Sequence, residues 1–220
     1  MMRWLAAIPL IFLSLPLHAQ EWDGSIKAVS DYRDRGVSQS DTDPAIQGNV
    51  EAWFENGLTL GAWASSLDNA PSGSDVEYNL YGSYGGDVGT LGYWVLGAQF
   101  VGFIDGEDAN YGEVYGILGV DVGFATGSLN LTYTPDRNDL DAGDNLYTQA
   151  RIDAQYPGQD FGVSLTTGFE YFSRLDDKWD WSAGAFYQWD KLTFTLDYVD
   201  TNKSGFGRGA TVVGGIKFSF

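Results

Sequence analysis

Phe161-Gly162-Val163-Ser164-Leu165-Thr166-Thr167-Gly168-Phe169-Glu170-Tyr171 carries two different sets of residues at alternate positions. Phe161, Val163, Leu165, Thr167, Phe169 and Tyr171 are uncharged and mostly large, whereas Gly162, Ser164, Thr166, Gly168 and Glu170 are small or polar. Successive side chains of a β-strand point to opposite faces, so this spacing describes an extended segment with one apolar and one polar face.

The same period recurs on both sides of that stretch. Uncharged phases run through Ile26 to Tyr32, Ile46 to Phe54, Leu58 to Ala64, Val76 to Tyr84, Val114 to Val120 and Leu129 to Tyr133. They continue through Leu146 to Tyr156, Trp179 to Trp189, Leu192 to Tyr198 and Ala210 to Phe220. Residues 90 to 101 form a twelfth segment, but both of its phases are apolar and neither face is distinguished. Lys27, Asp31, Arg33, Glu51, Glu77, Glu113, Arg151, Asp153, Glu170, Asp180, Asp197 and Lys217 all fall on the other phase. One face of every assignable segment therefore carries no charge.

Alternation alone fits a soluble ligand-binding barrel as well as a membrane barrel turned inside out. The connectors separate the two. Glu55-Asn56-Gly57, Gly85 to Gly89, Pro157-Gly158-Gln159 and Asp190-Lys191 are short. Asp34 to Pro44, Leu67 to Ser74, Gly102 to Asn110, Pro135 to Asn145, Ser173 to Lys178 and Asp200 to Gly209 are long. Short turns at one end, long loops at the other and an even strand number are expected of an outer-membrane barrel. The expectation is an all-β, transmembrane antiparallel β-barrel of about 12 strands spanning residues 20–220. Threaded so, Trp22, Phe54, Tyr84, Tyr156, Trp189 and Phe218 form one aromatic belt; Tyr32, Tyr133, Tyr171, Trp179 and Tyr198 form the other.

Composition agrees. The 220 residues include 8 Trp, 13 Tyr and 13 Phe with 29 Gly and only 6 Pro, which suits strands and tight turns. Thirty acidic residues against 12 basic ones give a net charge of −18, so a phosphate backbone is repelled and no nucleic-acid partner is expected. Met1 to Arg3, the apolar run Trp4 to Leu13 and the small exit residue Ala19 form an expected signal peptide, residues 1–19, directing export to the outer membrane of a Gram-negative cell. Its cleavage removes His18, the single histidine, from a chain with no cysteine. Without either residue the usual general base, metal nitrogen ligand and thiol nucleophile are missing, so no enzyme, cofactor or metal centre is expected.

The chain ends Ile216-Lys217-Phe218-Ser219-Phe220. Phe220 is the expected assembly signal, resembling the terminal aromatic of bacterial outer-membrane barrels that the assembly machinery reads as an edge strand. Ser30 to Gly48, S-D-Y-R-D-R-G-V-S-Q-S-D-T-D-P-A-I-Q-G, resembles the opening motif of the TorF family of porin-like proteobacterial outer-membrane proteins. Asn110 to Tyr115 and Leu196 to Thr201 resemble later segments of that family. The resemblance implies an outer-membrane location, with lipid and lipopolysaccharide as surroundings, and a pore role; it supplies neither a solute nor catalytic residues.

Twelve strands leave a lumen between the filled barrel of eight and the open channel of sixteen. Its expected lining includes Lys27, Glu51, Trp53, Glu77, Tyr81, Glu113, Tyr115, Arg151, Asp153, Glu170, Asp180, Asp197 and Lys217. Acids outnumber bases among them, pointing to cation preference. Trp53, Trp63, Tyr81, Tyr115, Tyr147, Phe172 and Phe186 share the inward phase and are expected to constrict the passage, with stacking on a solute ring as the alternative. Asp31, Arg33 and Arg35 either tie the first loop to the wall by ion pairs or meet the solute. Loop carboxylates Asp105, Glu107, Asp108, Asp136, Asp139, Asp141 and Asp144 read as solvated charge more readily than as a calcium site. The functional expectation is passive diffusion of small solutes through a narrow porin-like channel. Its rivals are a non-conducting barrel with adhesive acidic loops and a soluble periplasmic ligand-binding barrel.

Overall fold

Val, Ile, Thr and aromatic residues at every second position favour extended backbone, and in the computed structural model of the protein they form strands throughout the described residues, 21–68, 73–106, 109–137 and 143–220. The expected signal segment lies outside those residues. In chain order the elements are β1 (Glu21–Val29), β2 (Arg33–Asp34), β3 (Val37–Ser38), β4 (Ala45–Trp53), β5 (Leu58–Ser66), β6 (Val76–Val88) and β7 (Gly92–Phe103). They continue as β8 (Tyr111–Asp121), β9 (Ala125–Thr134), β10 (Asn145–Gln155), β11 (Phe161–Phe172), β12 (Lys178–Trp189), β13 (Leu192–Thr201) and β14 (Thr211–Ser219). Apart from the short hairpin β2–β3, these strands make one closed antiparallel barrel, each pairing with its sequence neighbours and β14 returning to β1.

The register joins like phases around the wall. Trp22 opposes Ala52, Ala52 opposes Leu60, Leu60 opposes Gly82, and the row runs on through Ala98, Val114, Tyr133 and Leu146 to Tyr171. A slip of one residue at any seam would turn a charged phase outward, so the pattern that forms the strands also fixes their pairing.

Burial shows which face is which. Leu96 and Leu118 are each 62% exposed, while Glu113 is 4%, Glu170 3% and Asp180 5% exposed. A barrel in water would reverse those values; this one presents aliphatic side chains around its outside and encloses its charges, as a lipid-facing barrel must. Trp22, Tyr84, Tyr156, Trp189 and Phe218 stand exposed at the short-turn end. Tyr133, Tyr171, Trp179 and Tyr198 stand exposed at the long-loop end. Two aromatic rims thus bracket the apolar band.

Three sequence expectations change. Residues 90 to 101 resolve into an outward Trp94, Leu96, Ala98 and Phe100 and an inward Val95, Gly97, Gln99 and Val101. The turn expected at Gly85 to Gly89 is shorter, because β6 continues to Val88 and only 89–91 make the bend. Tyr32 is not in the outer belt: β1 ends at Val29, and Tyr32 turns inward against Trp63, ring centroids 5.5 Å apart.

Candidate functional site

Loop 1, residues 30–44, decides the shape of the lumen. Asp34 and Val37 pair across a two-residue turn whose central residues, Arg35 and Gly36, have φ of 46° and 81°. Such a turn needs positive φ at both positions, which glycine supplies freely. A Cβ on Gly36 would lie only 3.0 Å from the Cβ atoms of Asp180 and Thr201, so the hairpin tip rests on the wall at β12 and β13. The loop therefore folds into the barrel rather than away from it.

Its side chains tie it down on several sides. Arg33 pairs with Asp31 and donates to the carbonyls of Gly36 and Gly207 at 3.2 and 2.8 Å. Ser38 N–H donates to the Gly207 carbonyl at 2.8 Å, and the Ser38 hydroxyl donates to Asp31 at 2.6 Å. The Tyr32 hydroxyl donates to Glu77 at 3.3 Å; burial and the neighbouring Glu77 carboxylate hold this phenol well above its ordinary pKa, so it remains a donor. Arg35 pairs with Glu113 at 2.9 Å and Glu170 at 2.6 Å. Burial alone would lower the Arg35 pKa, but Asp34, Glu170 and Glu113 raise it, and the guanidinium stays charged. Lys178 completes the group, with Nζ 2.7 Å from Glu170 and 2.7 Å from the Arg35 carbonyl. Arg35 thus ties the loop to the wall by ion pairs, whereas Asp31 and Arg33 pair with each other within the loop.

Of the expected lining residues, Lys27, Arg151 and Asp197 line one cavity within the barrel and Glu77, Glu113 and Glu170 another. Tyr81 Oη sits 2.6 Å from Glu51 and 2.8 Å from Asn49. Arg151 and Asp153 form a two-point ion pair at 2.6 Å, and the Tyr147 hydroxyl donates to Asp180 at 3.0 Å. Lys27 opposes Lys217 across the β1–β14 seam, near Asp197. Trp53, 40% exposed, lies toward the short-turn end of β4, and Glu77 and Glu113 lie toward the long-loop end.

Four of the inward aromatics lie along the wall rather than across the passage. Tyr81 lies against Gly61, Tyr115 against Gly97, Tyr147 against Gly168 and Phe186 against Gly162, each ring filling the space where a Cβ of the neighbouring strand would be. Rings laid on glycines thicken the wall, while loop 1, with Tyr32 against Trp63, narrows the lumen. A cavity of about 460 Å³ lies on one side of the loop, lined by Asp31, Arg33, Lys27, Arg151, Ser164 and Asp197. A second of about 330 Å³ lies on the other, lined by Asp34, Arg35, Glu113, Glu170, Arg137 and Arg208. The loop thus has one face in each chamber.

Lys178, Gln99, Thr134 and Asn145 belong to this site and were not singled out from sequence. Lys178 shares the phase of Asp180 and Ser182, so the period already pointed inward, but the residue reads as loop. Of the loop carboxylates, Asp136 pairs with Arg174 at 2.8 Å, and Glu107, Asp108, Asp139 and Asp141 lie outside the described residues. Among the described residues, no three acidic side chains converge as a metal site.

A family model described as a bacterial protein of unknown function, Gcw_chp, matches residues 18–213. The chain belongs to the Gcw_chp family. No curated protein sequence matches it. Among solved structures it is similar to the KdgM porin, with 13% identity over 90% of this chain and 99% of that one and a TM-score of 0.63. The KdgM porin in complex with disordered oligogalacturonate is also similar, with 13% identity, coverage of 90% and 98%, and a TM-score of 0.62. The NanC porin gives 10% identity, coverage of 90% and 98%, and a TM-score of 0.63. At these identities the likeness is one of fold: this Gcw_chp chain has the barrel of outer-membrane porins.

Proposed function

We propose that this Gcw_chp chain is an outer-membrane porin of narrow bore, exported by a signal peptide cleaved after Ala19, and a passive path for small cationic or neutral solutes. The observation that carries the reading is a charged, enclosed lumen with a chamber on each side of one crossing hairpin. An adhesive barrel has no need of two such chambers. The resemblance of Ser30 to Gly48 to the TorF family supports the same role. The described residues hold neither histidine nor cysteine, so the lumen offers passage rather than catalysis.

Selectivity follows from which charges are already answered. Arg35 and Lys178 compensate Glu113 and Glu170, and Arg151 compensates Asp153. Glu51 is met by the Tyr81 hydroxyl, which leaves its negative charge in the passage, whereas Glu77 is buried and accepts from the Tyr32 hydroxyl. Asp23, Asp87 and Asp121 share the inward phase near the short turns and add to the surplus. Low-dielectric walls focus that field and favour cations. A polyanion such as the oligogalacturonate in the KdgM porin complex would be opposed by it. Measured as a reversal potential under a KCl gradient, the channel prefers K⁺, and Glu51→Gln with Glu77→Gln lowers the preference; because salt screens exposed charges beyond about 10 Å at 0.1 M, the loop acids contribute only in dilute salt. Anion preference, or a cation preference unchanged in the double variant, contradicts this reading.

A further inference from the structure

The wall receives Arg35 as a site receives a ligand. Its two terminal nitrogens reach carboxylates on different strands, Glu170 of β11 at 2.6 Å and Glu113 of β8 at 2.9 Å, while its guanidinium carbon lies 4.6 Å from the centre of the Tyr147 ring. Those groups are positioned by the wall itself. Thr134 donates to Glu113 at 2.7 Å and Gln99 to its other oxygen; Asn145 donates to Glu170 at 2.7 Å, with Lys178 on the second oxygen. Tyr147 is fixed through its hydroxyl to Asp180. Every one of these residues belongs to β7 through β12 and none to loop 1, so each group that holds the two carboxylates and the ring comes from the wall, with Lys178 alone also donating to the loop, at the Arg35 carbonyl.

Its charge is incomplete without an occupant. Lys178 answers one buried carboxylate and Arg35 the other, and the Glu113 and Glu170 side chains are only 3% and 4% exposed. Removing Arg35 leaves a desolvated carboxylate without a counter-charge, a costly state that a cation relieves. Asp180, itself buried, adds an Oδ2 with no hydrogen-bond partner on the wall beneath Gly36. The 330 Å³ chamber is lined by Arg35, Glu113 and Glu170 together, so a solute entering from the long loops meets the cradle before it meets the far side of the hairpin.

We infer that the cradle of Glu113, Glu170 and Tyr147 is a binding site for solutes bearing a guanidinium group, with Arg35 as its built-in occupant. A planar fork of N–H donors matches two carboxylates set on separate strands and stacks on an aromatic face; a compact, strongly hydrated ammonium does neither as well. A solute of this class takes the place of Arg35 and frees the hairpin tip from the wall. In the wild type it competes with a tethered group at high effective concentration, so its binding there is weak. Only the consequence for transport rests on the channel reading; the site rests on the cradle geometry.

Calorimetric titration of the folded, detergent-solubilised full chain with methylguanidinium tests this. Arg35→Ala binds methylguanidinium at least about tenfold more tightly than the wild type does, and at least about tenfold more tightly than it binds methylammonium; adding Glu113→Gln and Glu170→Gln abolishes the gain. Should Arg35→Ala not fold alone, the yield of heat-modifiable barrel on refolding is the readout: rescue by methylguanidinium and not by methylammonium supports the site. Equal affinity in Arg35→Ala and the triple variant, no preference over methylammonium, or no rescue overturns it. Because heat and folding yield are read rather than current, failure here leaves the channel reading standing, and a non-conducting wild type leaves the cradle standing.

Discussion

Ala183 and Ser182 are consecutive residues with opposite surroundings, and the difference follows from the two-residue period of a strand. Ala183 opposes Tyr198 and Leu165 on the outward phase, whereas Ser182 lines the larger chamber. Leu80, 53% exposed, and Asn79 stand in the same relation on β6. An arginine facing mid-bilayer lipid costs about 2–4 kcal/mol, and facing a wet lumen it costs little. Ala183→Arg and Leu80→Arg are therefore expected to lower the yield of heat-modifiable barrel, and Ser182→Arg and Asn79→Arg to leave it near the wild-type level; the reverse ranking would turn the barrel inside out. At this scale the faces were legible from sequence wherever one phase carried charge. The posture of the inner aromatics was not. That Tyr147 lies on Gly168 depends on the pairing of β10 with β11, and a single strand's pattern holds no information about what its neighbour leaves empty.

Closure of the barrel is an affair of two terminal elements. Phe220 exchanges backbone hydrogen bonds with Gly24, its N–H donating at 2.9 Å and its carbonyl accepting at 3.3 Å, and its ring occupies the space a Cβ on Gly24 would take. The glycine and the terminal aromatic are thus complementary across the seam that removes the last free edge. Deleting Phe220 is expected to reduce the folded barrel recovered from outer membranes, while the stability of the fraction that does fold drops only by about 1–2 kcal/mol, the worth of two backbone hydrogen bonds at a chain end. Unchanged recovery would remove Phe220 from the assembly step. The elements differed in how readable they were, for physical reasons. Strand β7 hid its phase because Val95 and Val101 make its inner face as apolar as its outer one. Alternation at Ser30, Tyr32 and Arg33 suggested a longer β1, but it marks a loop that folds inward, and periodicity does not distinguish a strand from an extended loop entering the lumen.

For the whole molecule, the twelve-stranded barrel and its apolar exterior were readable because lipid imposes one rule on every strand. An ion-pair tie of loop 1 to the wall was one of two readings of Arg35, but its partners Glu113, Glu170 and Lys178 were not legible, since only the closed barrel brings those residues together. The acidic surplus read from sequence is placed differently in the barrel, because Arg35 and Lys178 neutralise Glu113 and Glu170 while Asp23, Asp87 and Asp121 add acid near the short turns. As a narrow channel, the barrel has its bore set by loop 1. Single-channel recording in planar bilayers, comparing the wild type with a variant in which residues 33–38 are replaced by a short Gly-Ser link, tests it most directly. A small conductance is expected in the wild type and one several-fold larger in the variant, with K⁺ preferred in both. Equal conductances would show that the loop is not the constriction, and no conductance in either would show that the barrel is not a channel.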